Sequence, residues 1–213
     1  KEYRRQRQMC IRDRYTIDYD LGAQSSAKLP MSVVIKNLTI TGNRTSNYHG
    51  LRLAGLKAGG TNNIEFNDVG YGLFLSNCFA TLHTNHFYRN FDVGLQGDIS
   101  AASNNNSFDT LHFFGGNANN TAAPIKDYGF NNSVFVNIVC EGSGAQTSTD
   151  LTNGTGNLFV SPRWESCTPA GSSTPYVLFG GVNNKIISPL VTLELAEQLS
   201  DTTYQIVISG KQC

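Results

Sequence analysis

A chain of 213 residues with 16 basic and 16 acidic side chains has room for one large domain and carries no formal net charge. Charged residues make up only 15 %, while 21 glycines sit among abundant Asn, Ser and Thr, which excludes coiled coils and helical bundles and favours strands joined by turns. No stretch approaches the roughly 18 consecutive apolar residues that a membrane-spanning helix needs.

In chain order, residues 1–14 come first, with six Lys/Arg, two Asp/Glu and almost no apolar periodicity. Taken at face value they form a basic arm. Gln8-Met9-Cys10-Ile11-Arg12-Asp13-Arg14 instead resembles translated sequencing-adapter read-through, so the segment is set aside as a non-native scar and the chain is expected to be a fragment. The remaining body holds ten basic and fourteen acidic residues, which offers no electrostatic footprint for nucleic acid. Residues 15–31 lead into the fold.

From Ser32 to Cys213 one solenoid domain is expected. Val33-Val34-Ile35-Lys36-Asn37-Leu38-Thr39-Ile40-Thr41 alternates apolar and polar residues and ends on the turn signal Gly42-Asn43. Gly-Leu pairs then begin at residues 50, 72 and 94, two consecutive intervals of 22 residues. A fixed period of this size marks coils that bury their apolar faces by stacking on one another. The second half repeats another phrase, anchored at Phe108, Phe135, Phe159 and Ile186, at spacings of 27, 24 and 27 residues. The alignment predicts an all-β parallel β-helix of about seven coils. Leu51, Leu73 and Leu95 would pile up inside, with Trp164 inward beside Phe113.

Asn37, Asn63, Asn85, Asn106, Asn132, Asn157 and Asn184 recur near strand ends, where stacked amides can bond along the axis and left-handed turns are tolerated. Asn37, Asn43, Asn105, Asn119, Asn131 and Asn153 also begin Asn-x-Ser/Thr triplets, a glycan signal that chance supplies freely in so Asn-rich a chain. The five cysteines show neither a zinc spacing nor an even disulfide framework, and are read as reduced, packed thiols.

The run Val34–Asn43 leading into His49-Gly50-Leu51-Arg52-Leu53 resembles the opening coils of the pectin-lyase-like superfamily, and the later coils closing on Glu141 and Glu165 resemble phage tailspikes and polysaccharide depolymerases. The resemblance implies a single-stranded right-handed β-helix, a polysaccharide partner, a possible homotrimer, and a virion or extracellular setting. It does not fix an activity, because the superfamily spans lyases, hydrolases, epimerases and non-catalytic receptor-binding shafts. Polygalacturonase signatures and an acidic calcium cluster are absent from the sequence, so no metal or other cofactor is expected.

Stacking turns alignment into geometry, since equivalent residues of neighbouring coils lie about 4.8 Å apart. Two exterior columns follow, His112/Val139/Arg163 and Phe114/Glu141/Glu165/Thr192. Glu141 and Glu165 would be the acid and the base or nucleophile of a glycosidase, with Arg163 and His112 as substrate contacts. The same four side chains could also be a solvated face in which Arg163 relieves carboxylate repulsion. A second exterior column, Arg52, Phe74 and Gln96 continued by Lys126 and Phe179, suits sugar binding or a subunit contact equally well. Asp92, Asp98 and Asp109 read as turn formers, whereas Asp127, next to Lys126, is retained as a further acid candidate. Three readings stay open: a degrading enzyme (hydrolase or lyase), a non-catalytic binding shaft, and a structural spacer.

Overall fold

The computed structural model describes residues 15–20, 31–42, 49–115, 123–126, 129–141, 149–151, 153–165, 177–192 and 206–208. Residues 1–14 and Asp127 lie outside them, as do Cys10, Cys167 and Cys213. The described residues are all-β, and no helix among them is long and apolar enough to cross a membrane.

The strands are β1 (Tyr15–Asp20), β2 (Met31–Thr41), β3 (His49–Ala54), β4 (Lys57–Ser76), β5 (Leu82–Gly97), β6 (Ser103–Asn104), β7 (Ser107–Phe114), β8 (Ala123–Lys126) and β9 (Phe130–Asn131). They continue as β10 (Val134–Glu141), β11 (Thr149–Leu151), β12 (Leu158–Val160), β13 (Arg163–Glu165), β14 (Val177–Phe179), β15 (Lys185–Ile187), β16 (Leu190–Thr192) and β17 (Ile206–Ile208). Every pairing is parallel and joins one coil to the next. The result is a β-solenoid of about five turns, where the sequence led us to expect seven.

Single residues in the left-handed region turn each coil. One such column holds Asn37, Asn63 and Asn85 at φ of 56°, 54° and 55°, and continues through Thr110, Asn137, Ser161 and Ser188. Asn tolerates this conformation because its short amide can bond locally, and Asn63 Nδ2 donates to Asn37 Oδ1 at 2.9 Å. The predicted asparagine ladder is in fact several columns. Asn132 sits at φ 48° in another left-handed column, with Asn105 and Asn183. Asn106, Asn157 and Asn184 are instead buried, and cap backbone groups of the adjacent coil. Asn157 Oδ1 accepts from Ser133 N–H and Asn184 Oδ1 accepts from Asn157 N–H, each at 2.9 Å.

The Gly-Leu repeat has a packing cause. Leu51, Leu73 and Leu95 are wholly buried and in register, as the spacing predicted. The glycine beside each leaves room for a ring from the following coil. A Cβ on Gly50 would meet Phe66 at 2.8 Å, on Gly72 Tyr88 at 2.6 Å, and on Gly94 Phe113 at 2.3 Å. Those rings stack on each other, with centroids 4.8 Å apart for Phe66–Tyr88 and 4.4 Å for Tyr88–Phe113. At the next coil Pro124 takes the glycine's register position, and the small Cys140 takes the ring's. Trp164 follows Cys140, buried as expected but separated from Phe113 by that cysteine. A second stack runs His83–Phe108–Phe135–Phe159 at 5.2, 4.6 and 4.3 Å. Each stacked pair adds about 0.5–1.5 kcal/mol beyond the burial of its area. Cys78 and Cys140 are buried and unpaired with each other, in keeping with packed thiols.

Candidate functional site

The left-handed residues Thr110, Asn137 and Ser161 re-aim the chain just before β7 finishes, within β10, and ahead of β13, so the strand segments after them share one exterior wall. Alternation then points Leu111, Phe113, Ile138, Cys140 and Trp164 inward and their neighbours outward. The register stacks His112, Val139 and Arg163 in one outward column and Phe114, Glu141 and Glu165 in the next, with Thr192 at the following register position. Both columns fall where the alignment put them.

The side chains meet diagonally across these columns. His112 Nε2 lies 2.7 Å from Glu141 Oε2. The Arg163 guanidinium bonds Glu165 through Nη2, and the same nitrogen is 3.9 Å from Glu141 Oε1. Because one nitrogen reaches both, the facing carboxylate oxygens are no more than about 7 Å apart. Side-chain exposures of 30 % for His112 and Glu141, 42 % for Arg163 and 24 % for Glu165 leave all four open to a solute. Pairs this exposed contribute only about 0–1 kcal/mol each to stability, so the fold does not depend on them. Arg163 Nε, by contrast, is buried without a hydrogen-bond partner. Phe114 stands beside Glu141 with 48 % of its surface free, an outward ring one coil from Glu141 and two from Glu165.

The wall continues into a groove of about 600 Å³ over the coils of β2, β4 and β5. Its rim carries Glu65, Phe87 and Arg89 and ends at His112. The Arg89 guanidinium sits 4.7 Å over the Phe87 ring and 3.6 Å from Glu65, while the His112 ring is 4.6 Å from Phe87 on the other coil. The sequence reading missed these three residues, although Glu65 and Phe87 precede His112 in its own column. Extending that column towards the N-terminus would have found those two, and extending Phe114's would have found Arg89.

The second predicted column is real in part. Arg52, Phe74, Gln96 and Lys126 are consecutive neighbours on the wall formed by β3, β4, β5 and β8. Phe179 is not its continuation: it is buried, in register with Leu151, and the column passes instead through Asp150 to Leu178. Gln96 Oε1 is buried without a hydrogen-bond partner. Asp98 belongs to the adjoining turn, where partial burial pushes its carboxyl up. Donation from the Ser100 hydroxyl and N–H and from Ser76, with the charge of Arg52, outweighs that, and the net shift is downward. Asp109, within β7, accepts locally from the Thr110 hydroxyl at 3.0 Å and across the coils from Asn137 Nδ2 at 3.4 Å.

Among the described residues no group of three or more His, Cys, Asp or Glu could hold a metal ion. The chain matches no family model, no curated protein and no solved structure.

Proposed function

We propose that this chain is a polysaccharide-binding β-solenoid whose exterior wall, from the groove at Phe87 through His112 to Glu165, holds a saccharide chain along the solenoid axis. The observation that carries the reading is the exposed Phe114 ring, next-coil neighbour of Glu141 on a wall that also carries His112, Arg163 and Glu165. A ring of this kind stacks on a pyranose face while charged donors and acceptors bind the hydroxyls around it. The solenoid would be wound right-handed, as parallel crossovers are. Homotrimeric assembly and a tailspike or extracellular setting belong to the same proposal, and Arg52, Phe74, Gln96 and Lys126 would form a second saccharide or subunit contact.

Degradation is part of the proposal. Glu141, hydrogen-bonded to His112, would protonate the glycosidic oxygen as its bond to the anomeric carbon breaks. Glu165, paired with Arg163, would attack that carbon or take a proton from the attacking water. A second reading, a non-catalytic receptor-binding shaft, is favoured by Arg163 itself. Its guanidinium bonds Glu165 and lies 3.9 Å from Glu141, so both carboxylates already face a cation of the chain itself. Incubation with bacterial capsular and algal polysaccharides separates the two, by new reducing ends or by the ultraviolet absorbance of unsaturated uronates. Glu165→Gln is expected to abolish hydrolysis and leave thermal stability in place, and full cleavage by that variant would remove the proposed acid–base pair. Binding on a glycan array without cleavage by wild type would establish the shaft, whereas silence on both would leave a spacer.

A further inference from the structure

A polar seam runs through the interior between the coils of β4 and β5. Thr61, Thr81, His83, His86 and Asn106 are each 2 % exposed or less, and Tyr88 is wholly buried. They touch in series: Asn106 Oδ1 to Thr81 Oγ1 at 2.6 Å, Thr81 Oγ1 to His83 Nε2 at 2.8 Å, and His83 Nδ1 to Thr61 Oγ1 at 2.7 Å. The series ends with Thr61 Oγ1 to His86 Nε2 at 2.8 Å and His86 Nδ1 to the Tyr88 hydroxyl at 3.0 Å.

One end fixes every proton. Asn106 Oδ1 accepts the Thr81 backbone N–H and its Nδ2 donates to the Cys78 carbonyl, so the amide has a single orientation. Thr81 must therefore give its one hydroxyl proton to Asn106 and accept from His83 Nε2–H. His83 Nδ1 is then an acceptor and takes the Thr61 proton. Thr61 accepts from His86 Nε2–H, and His86 Nδ1 accepts from the Tyr88 hydroxyl. The network thereby dictates both tautomers and leaves no place for a second proton on either ring.

We infer that Tyr88, His86, Thr61, His83, Thr81 and Asn106 form one unidirectional hydrogen-bond chain, and that this chain is an acid-sensitive joint that ties the coil of β4 to that of β5 while both imidazoles are neutral. Protonating Nδ1 of His86 would set a donor against the Tyr88 O–H, and protonating Nδ1 of His83 would set one against Thr61. Apart from the Thr61 backbone, which bonds His86, the buried surroundings are apolar. From β4 the seam meets Ile64 and Phe66, from β7 Phe108, Leu111 and Phe113, and from β5 Tyr88 and Phe91, all buried. The titratable groups touching the imidazoles are the partner histidine and Tyr88, while Glu65, Arg89 and His112 share the lining of the outer groove with His86.

Burial holds His83 well below the ordinary histidine range, with repulsion from His86 adding to the effect. It lowers His86 to about 4 against an opposing hydrogen bond with the Thr61 backbone. The unfolded chain, titrating near 6.5, binds more protons than the native one, so stability falls as pH falls below about 6.5. His86 also lies under the groove, so release of the joint would open the groove floor.

The test uses the full chain and does not depend on any saccharide. Nitrogen NMR at neutral pH is expected to show both rings as Nε2–H tautomers. Urea titrations from pH 7.5 to 4.5 should show the unfolding constant rising by up to about tenfold per pH unit for each histidine, and so up to about a hundredfold for both. His83→Phe, which extends the aromatic column, should cut that to about tenfold, and Thr61→Ser should keep the wild-type slope. An Nδ1–H tautomer at either ring, titration of either at the ordinary value, or a flat stability profile between pH 6.5 and 4.5 would overturn the inference. The wild-type spectra and titrations decide it even if a variant fails to fold.

Discussion

Replacing Gly94 by alanine probes the packing device that sets the solenoid's period. The new Cβ would lie 2.3 and 2.4 Å from two ring carbons of Phe113 and 2.7 Å from the Pro124 carbonyl oxygen. Ordinary carbon contacts are about 3.5–4.0 Å, so something must shift by roughly 1 Å, and overpacking of this kind costs about 1–3 kcal/mol. Phe113→Cys copies what the next coil does with Cys140 opposite Pro124; alone it should cost about 3–5 kcal/mol, like other losses of a buried ring. Combined, the two changes remove the ring–methyl clash but not the contact with Pro124. The double mutant should be more stable than the sum of the singles by about 0.5–3 kcal/mol. Urea denaturation of the four proteins measures this, with midpoints moving at constant slope. If the effects add to within about 0.5 kcal/mol, or if Gly94→Ala alone is neutral, the ring-over-glycine account of the period is wrong.

Asn157→Ala should destabilise by about 1–3 kcal/mol for each buried backbone group it strands. Those groups are the Ser133 N–H, 2.9 Å from Asn157 Oδ1, and the Phe130 carbonyl, 2.8 Å from Nδ2. The same change at the turn residue Asn63, whose bond to Asn37 is exposed, should cost much less, and equal losses in thermal denaturation would contradict the distinction between the two asparagine columns. Asp98 has a carboxyl held below its ordinary value, so it stabilises the fold above its unfolded value of 3.8 and that contribution is lost as pH falls through the lower folded value. Asp98→Asn should accordingly flatten the stability profile below about pH 4 and leave the histidine-dependent loss at higher pH unchanged. An altered slope at pH 5–6 in that variant would show that the two acid responses had been misassigned.

The parts of the fold that were legible in the sequence are those where one position tolerates few side chains. Inward Leu51, Leu73 and Leu95, and the Phe108, Phe135, Phe159 and Ile186 anchors, align without reference to coordinates because those interior slots are filled on successive coils by apolar residues of similar size. The exterior columns followed by alternation, which is why His112, Arg163, Glu141 and Glu165 were placed together from their register alone. Phe179 failed because the loops between Lys126 and Val177 vary in length, and a shift of one residue exchanges inward for outward. His83 was invisible for the opposite reason. It occupies an inward slot between Thr61 and Phe108, and histidine there reads as surface until the hydroxyl partners are known. Phe114 was legible as a member of its column but not as an exposed ring, since exposure depends on what the neighbouring coils leave uncovered.

The account stands on residues a full coil apart becoming vertical neighbours on one wall. Glu141→Cys combined with Glu165→Cys, treated with a short thiol crosslinker and read by mass spectrometry after proteolysis, tests this most directly, because the two positions are register partners across β10 and β13. The account predicts a prominent intramolecular crosslink for that pair, and none for Glu141→Cys combined with Thr84→Cys, since residue 84 is in register with Asp109, in the strand segment before the turn at Thr110. No crosslink in the first pair, or equal yields in both, would contradict it.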